Sequence, residues 1–387
     1  MTAPLSPRAI LDALVSFPTV SRDSNLPLID WVEEYLTGQG IKCYRQYNDE
    51  GDKAGLFAHV GPEVEGGVVL SGHTDVVPVD GQPWTTDPFT VVEKDGKLFG
   101  RGCCDMKGFD ALAIWALVEA HHRGVSRPLQ IALSYDEEIG CTGAPPLIEE
   151  MNKHLPKASA VLVGEPSVMK TVTAHKGGRA YRIHMKGFEV HSSLIHTGVN
   201  AIMFGAKLIE WANQNNAAQA AATPSDTAAL FEPPWTSTHV GQIEGGTAHN
   251  ITAKDCIFGL DFRTVPDEAN DDWRDKMLAK VAEVEAEMQA IVPETGIEVT
   301  ETFDLMGLAP EDEGEAESIV RQITGDNSTD VVSYGTEAGH FQAAGYSAVV
   351  CGPGNIAQAH QPDEYLSVAQ FQAGQAFMEK LLTEVLA

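Results

Sequence analysis

The chain is poor in positive charge: 26 lysines and arginines stand against 55 aspartates and glutamates, a formal charge of −29. Such a surface repels phosphate backbones and anionic headgroups, which excludes nucleic acid and membrane surfaces as natural partners. It suits metal ions or a cationic small molecule, and equally a solubilising surface in salty surroundings. Cysteine is scarce as well. The six, Cys43, Cys103, Cys104, Cys141, Cys256 and Cys351, show neither CxxC spacing nor the density of a disulfide scaffold, which points to a reducing compartment. No apolar run approaches the roughly 18 residues of a membrane helix. The start, MTAPLSPRAILDALVSF, lacks the basic and apolar regions of a secretory signal, so a cytoplasmic protein is expected.

What is present is core material, with 43% hydrophobic residues in a chain of 387, long enough that two domains are expected. Ser6 and Pro7 predict a helix start running to about Phe17, and LIDWVEEYLTG a second helix. IKCYRQYN, GLFAHVG and GGVVLSGHTDVV read as strands. FTVVEKDGKLFGRG predicts a hairpin around Asp95 and Gly96, and Lys107 to Arg123 an apolar helix packed on a sheet. LQIALSYDEE and ASAVLVGEPS predict buried strands that end in acids. This alternation predicts an α/β sheet with its site at strand ends. Between about Gly178 and Asp304 the order changes to strand, helix (Asn200 to Asn213), two strands, helix (Glu268 to Ile291), strand, which is the split βαβ arrangement. Within it NQNNAAQAAATPSDTAALFEPPW reads as a surface connection. The α/β spacing then returns with the helix EAESIVRQITG, the strands VVSYGTEAG and SAVVCGPG, and a helix from about Ser367. The expected division is 1–177, 178–304 and 305–387, the first and last parts forming one domain around an inserted one.

His73 and Asp75 follow the strand-like GGVVL, and residues two apart on an extended segment face one side, so Asp75 can hydrogen-bond the second nitrogen of a metal-bound His73. Asp105 precedes a helical run in RGCCDMKG. Taken alone, these residues also fit a packed core histidine and a helix cap. The other strand ends add Glu137, Glu138, Glu165 and His360. Two histidines and three carboxylates make the donor set of a zinc pair, with one imidazole and one terminal carboxylate for each ion and one carboxylate bridging. One acid is left over to accept a proton. Glu137 and Glu138 are adjacent and face different ways, so one can bind metal while the other faces substrate.

The motifs SGHTDVVP, GRGCCDMKG, DEEIGCTGA, VGEPS, KGGRAYRI and AHQPDEY resemble those of the dinuclear zinc amidohydrolases, the family of aminoacylases, succinyl-diaminopimelate desuccinylases, related carboxypeptidases and acetylornithine deacetylases. The likeness covers nearly the whole chain. It implies a zinc-peptidase-like α/β catalytic domain with an inserted ferredoxin-like (βαββαβ) lid that also forms a homodimer, and two Zn2+ per subunit, with Co2+ able to substitute. By motif, His73 and Glu165 would hold one zinc, Glu138 and His360 the other, and Asp105 would bridge them. Asp75 would orient His73, Glu137 would be the general base, and the peptide after Asp105 would be cis. In the lid, the resemblance implies that His191 in GFEVHSS stabilises the oxyanion from the partner subunit and that Asn250 and Arg263 contact substrate. The residues alone do not choose His191 over His175, His184 or His196. YGTEAGHF and GPGNIAQAHQPDEYL are most similar to the branch that deacetylates acetylornithine in arginine biosynthesis. That makes Glu337 the expected reader of a distal substrate ammonium, or else an internal hydrogen-bonding partner. A desuccinylase, a broad aminoacylase or a dipeptidase would use the same metals, and a catalytically silent metal-dependent binding protein would keep the ligands. Cys103 and Cys104 are read as ordinary buried residues.

Overall fold

Four short apolar runs, buried at every residue but Ser347, form the centre of a sheet. Leu129–Ser134, Val68–His73, Ala160–Pro166 and Ser347–Gly352 lie side by side in that order and run parallel. Strands buried on both faces carry near-continuous Val, Leu and Ile, which is why no alternation shows in them. Ala54–Val60 and Cys43–Tyr47 extend one side antiparallel, and Val172–His175 and Asp330–Val332 complete the other, giving eight strands among the described residues. The structure, a computed structural model, describes residues 3–387. It divides into two compact units: one holds the chain up to Ala174 with Pro310–Val331 and Thr336–Ala387, the other His175–Ala309 with Val332–Gly335.

In the first unit the helix Lys107–Arg123 is buried from Lys107 to Val118 and exposed only at its end, as an all-round apolar helix must be. It packs against Pro7–Val15, Val368–Lys380 and the central strands. Val92–Lys94 and Lys97–Phe99 form the expected hairpin, with Asp95 and Gly96 both at positive φ (51° and 71°), the two-residue turn that suits strand twist. Tyr365–Ser367 pairs antiparallel with Lys97–Phe99, bringing the chain after His360 beside the chain before Arg101.

The second unit has the ferredoxin-like order. Its antiparallel sheet runs Ser237–His239, Asp255–Arg263, Gly178–Lys186, Gly296–Leu305, with the short strand Ile243–Gly245 also on Asp255–Arg263. Gly178–Lys186 and Asp255–Arg263 alternate in burial, and the helices Ala201–Ala221 and Asn270–Gln289 contribute Leu208, Trp273, Met277 and Val284 to their covered face.

Two sequence expectations are corrected. The helix expected to stop at Asn213 continues to Ala221, because the alanines of NNAAQAA favour helix more than its asparagines oppose it. The strand expected over VVSYGTEAG is only Asp330–Val332. At TEAG the Thr336 hydroxyl accepts a hydrogen bond from Ala338 N (3.1 Å) and the chain enters the helix Ala338–Ala343. Among the described residues no helix is long and apolar enough to cross a membrane.

Candidate functional site

The parallel strands deliver acids and histidines to one edge, the carboxyl ends, where open α/β sheets bind their ligands. His73 is the last residue of its strand, Glu165 lies near the end of Ala160–Pro166, Glu137 and Glu138 follow Leu129–Ser134, and His360 follows Ser347–Gly352. Asp105 stands just ahead of the helix Lys107–Arg123, where the helix dipole favours a carboxylate, and the Asp105–Met106 peptide is cis, as the resemblance implies. Asp105 divides its two oxygens. Oδ1 lies 3.1 Å from His73 Nε2 and Oδ2 lies 3.2 Å from His360 Nε2. Glu165 Oε1 is 3.7 Å from the first imidazole and Glu138 Oε2 is 3.0 Å from the second. Glu137 Oε2 sits 3.9 Å from His73 Nε2.

Asp75 braces this arrangement in a way the sequence did not suggest. The His73 Nδ1 atom is 2.9 Å from the Asp75 backbone carbonyl and 3.5 Å from its carboxylate. The carboxylate serves further partners: Oδ1 accepts from Glu137 N (3.1 Å), and Oδ2 accepts from Glu138 N (3.3 Å) and the Ser21 hydroxyl (2.6 Å). One aspartate thus faces the imidazole with its main chain and its carboxylate, and holds the acid pair through the carboxylate as well. The turn before the pair places Asp136 at positive φ (57°), and Lys53 pairs with its carboxylate.

Burial pushes Glu137 up to about 8 and raises Glu138 and Glu165, with neighbouring carboxylates acting in the same direction. Asp105 goes the other way: burial opposes its charge, but the hydrogen bonds to His360 and His73 hold it well below the usual carboxylate range. Those to Asp105 and Glu138 lift His360 to about 10, and burial does not prevent the bond to Asp105 from raising His73. Glu138 Oε1 and Glu165 Oε1 are buried without a hydrogen-bond partner among the described residues, which is costly for acceptor oxygens. Donor atoms of His73, Glu137 and Glu165 lie within 4.8 Å of one another, as do those of His73, Asp105 and Glu138. Crowded carboxylates, two imidazoles and unpartnered buried oxygens are the donor chemistry of divalent cations, so these residues fit a metal pair.

Residues 69–384 match the model of peptidase family M20/M25/M40. The chain belongs to this family. It is an M20 hydrolase acting on amide bonds. Its M20 relatives include an acetylornithine deacetylase of Myxococcus xanthus, 33% identical over 93% of this chain and 92% of the relative. Another, from Pasteurella multocida, is 31% identical over 96% and 95%. Among solved structures, an M20 family metallo-carboxypeptidase from Sulfolobus solfataricus has a TM-score of 0.78 at 16% identity, covering 98% of both chains. A tripeptidase from Staphylococcus aureus has 0.74 at 17%, covering 99% of both. At that identity the likeness is one of M20 fold.

Other residues singled out from the M20 motifs lie as follows. Glu337 is 1% exposed. One of its carboxylate oxygens accepts from Ser134 and the other from Ser71 (3.3 Å), and burial raises it to about 7. These are the bonds of an internal hydrogen-bonding partner, the alternative expected beside a recognition role. His191, Asn250 and Arg263 belong to the second unit and are exposed there. His191 Nδ1 is 2.8 Å from the Ser193 hydroxyl, and Ser192 N donates to the Asn250 carbonyl (2.9 Å), so the segments of His191 and Asn250 are neighbours. Arg263 ends the strand Asp255–Arg263 and lines a cleft of about 690 Å³ with Asn216, Trp235, His239 and Phe303. Cys103 and Cys104 are buried free thiols, raised by burial away from the reactive thiolate. Sequence reasoning missed Arg101 and Glu364. Both stand inside the quoted motifs GRGCCDMKG and AHQPDEY, and a charged pair buried in two otherwise ligand-bearing motifs was the available signal.

Proposed function

We propose that this chain is a dinuclear zinc amidohydrolase that removes the acetyl group from N2-acetyl-L-ornithine, giving ornithine and acetate. The observation that carries the reading is the sharing of Asp105, one oxygen toward each of two imidazole–carboxylate pairs. In this reading His73 and Glu165 hold one ion, His360 and Glu138 the other, and Asp105 both. Two divalent ions bound there supply the charge that lowers the pKa of a nucleophilic water and offsets the charge developing during hydrolysis.

The remaining work falls to Glu137. Its carboxylate takes the proton of the water that attacks the amide carbon, and returns it to the nitrogen of the leaving amine as the C–N bond breaks. Burial raises Glu137, while positive charge in the donor cluster acts oppositely, bringing the group toward the working range of a general base near neutral pH. Asp75 keeps that carboxylate in place through its bond from Glu137 N. His191 of the inserted segment 178–304 is assigned to the oxyanion, Asn250 and Arg263 to the substrate, Arg263 through its fork on an α-carboxylate. The same segment is assigned the roles of lid and homodimer interface, and the enzyme is placed in the cytoplasm.

The acetylornithine substrate is supported by curated relatives of that name along almost the full chain. A screen of the purified, zinc- or cobalt-loaded protein on N2-acetylornithine, N-succinyl-diaminopimelate, neutral N-acetyl amino acids and dipeptides tests it. The reading expects the highest kcat/KM on N2-acetylornithine. Preference for the succinylated substrate or for dipeptides would reassign the pocket within the family, and absence of zinc-dependent turnover on all of them would remove the enzymatic reading.

A further inference from the structure

Arg101 and Glu364 form a buried ion pair, at 2.6 Å and with side chains 1% and 0% exposed. Removal of one partner strands the other, so a buried pair of this kind contributes chiefly by specifying geometry. Here the geometry joins two loops that carry metal-type ligands. Glu364 Oε1 accepts three backbone N–H bonds from the turn that presents Asp105: Gly102 N (3.0 Å), Cys104 N (2.9 Å) and Asp105 N itself (3.1 Å). This is an anion cradle filled by the protein's own carboxylate. Four residues before it in the chain stands His360.

Arg101 closes the link from the other side. Its second terminal nitrogen donates to Gln82 Oε1 (2.6 Å), and Gln82 Nε2 donates to the His360 carbonyl (3.0 Å). That clamp has work to do, because His360 and Asp363 both hold positive φ (63° and 56°), a conformation non-glycine residues keep only when their surroundings impose it.

We infer that Glu364 is a positioning residue that locks the Asp105 turn to the His360 loop and so sets Asp105 and His360 together at the second metal position. The inference rests on the metal site proposed above and extends it to residues that touch neither ion. The chemistry also dictates the residue type. All four partners of Glu364 are donors, so only an acceptor-only carboxylate satisfies them; a glutamine turns its NH2 group against a donor whichever way it sits.

The test is a Co2+ titration of the metal-free, full-length chain, followed by visible absorption and calorimetry, with thermal melting of the metal-free form as a folding control. Wild type is expected to take up two ions. In Glu364→Gln the ion on the His360 side should bind about 10- to 100-fold more weakly, with an altered cobalt spectrum and a melting transition that remains cooperative. Gln82→Ala, which leaves the buried pair intact, should weaken the same ion at the low end of that range. Wild-type affinity and spectrum in a folded Glu364→Gln overturn the inference. Should that variant not fold, unchanged cobalt binding in Gln82→Ala overturns it. Fewer than two cobalt ions in wild type would instead contradict the dinuclear site, and the positioning role with it.

Discussion

His73 and His360 turn the same imidazole nitrogen to the two oxygens of one carboxylate, yet the first side chain is 1% exposed and the second 52%. His73 ends a central strand and is paired residue by residue with Leu129–Ser134. Behind it the fit is close: a Cβ at Gly72 would come within 2.1 Å of Asp110 Oδ1. His360 rides a loop held by Gln82, by Thr85, whose N–H donates to Asp363 (2.8 Å), and by the pair Arg101–Glu364. Sheet hydrogen bonds and core packing place one half of the centre; a few side-chain bonds place the other. Affinity on the His73 side should therefore follow the stability of the fold, and affinity on the His360 side should follow the loop.

The largest effect belongs where the halves meet. Glu137→Gln should keep both ions and lose about 10²- to 10⁴-fold in kcat, measured with N2-acetylornithine alongside metal analysis. Near-normal turnover at full metal content would take the base role from Glu137. Next comes the contrast itself, read by zinc calorimetry on His73→Ala and His360→Ala. His360→Ala should lose one ion and keep the other within about tenfold, while His73→Ala, which opens a gap in the packed strand end against Asp105, weakens both. Equal losses in the two variants would erase the distinction between strand-borne and loop-borne halves.

A smaller effect follows from His340, on the helix behind Glu337, which burial holds at about 4 against an ordinary 6.5. The unfolded chain takes up this proton first, so the stability is present above pH 6.5 and lost as pH falls toward 4. The slope is up to about 1.4 kcal/mol per pH unit. Denaturant midpoints measured on the acid side of neutrality should fall less steeply in His340→Gln than in wild type; identical slopes would show that His340 gains its proton in the fold. Last, Glu337→Gln should lower activity equally on N2-acetylornithine and on a neutral N-acetyl amino acid, since its bonds run to Ser71 and Ser134. A loss confined to the cationic substrate would give Glu337 the recognition role.

The sequence was most legible where one residue type answers to one physical demand. Apolar runs ending in His73, Glu165 and the Glu137–Glu138 pair announced an α/β sheet with ligands at its strand ends, and the Asp95-Gly96 turn its hairpin. Harder were positions where a charged side chain works inward. Glu337 and Glu364 stand inside motifs, and nothing in their spelling says that one bonds two serines of the central strands and the other three amides of a turn. Long-range bonds of this kind depend on which loops the fold brings together, here through the pairing of Tyr365–Ser367 with Lys97–Phe99. The helix continuing to Ala221 escaped for a local reason, the neutral look of an alanine and asparagine stretch.

Anomalous diffraction at the zinc edge from crystals of the zinc-loaded protein bears most directly on the shared-carboxylate centre. Two peaks are expected, one among His73, Glu165 and Asp105 and one among His360, Glu138 and Asp105, separated by roughly 3.5 to 4 Å. A single peak, or two peaks that do not share Asp105, would contradict it.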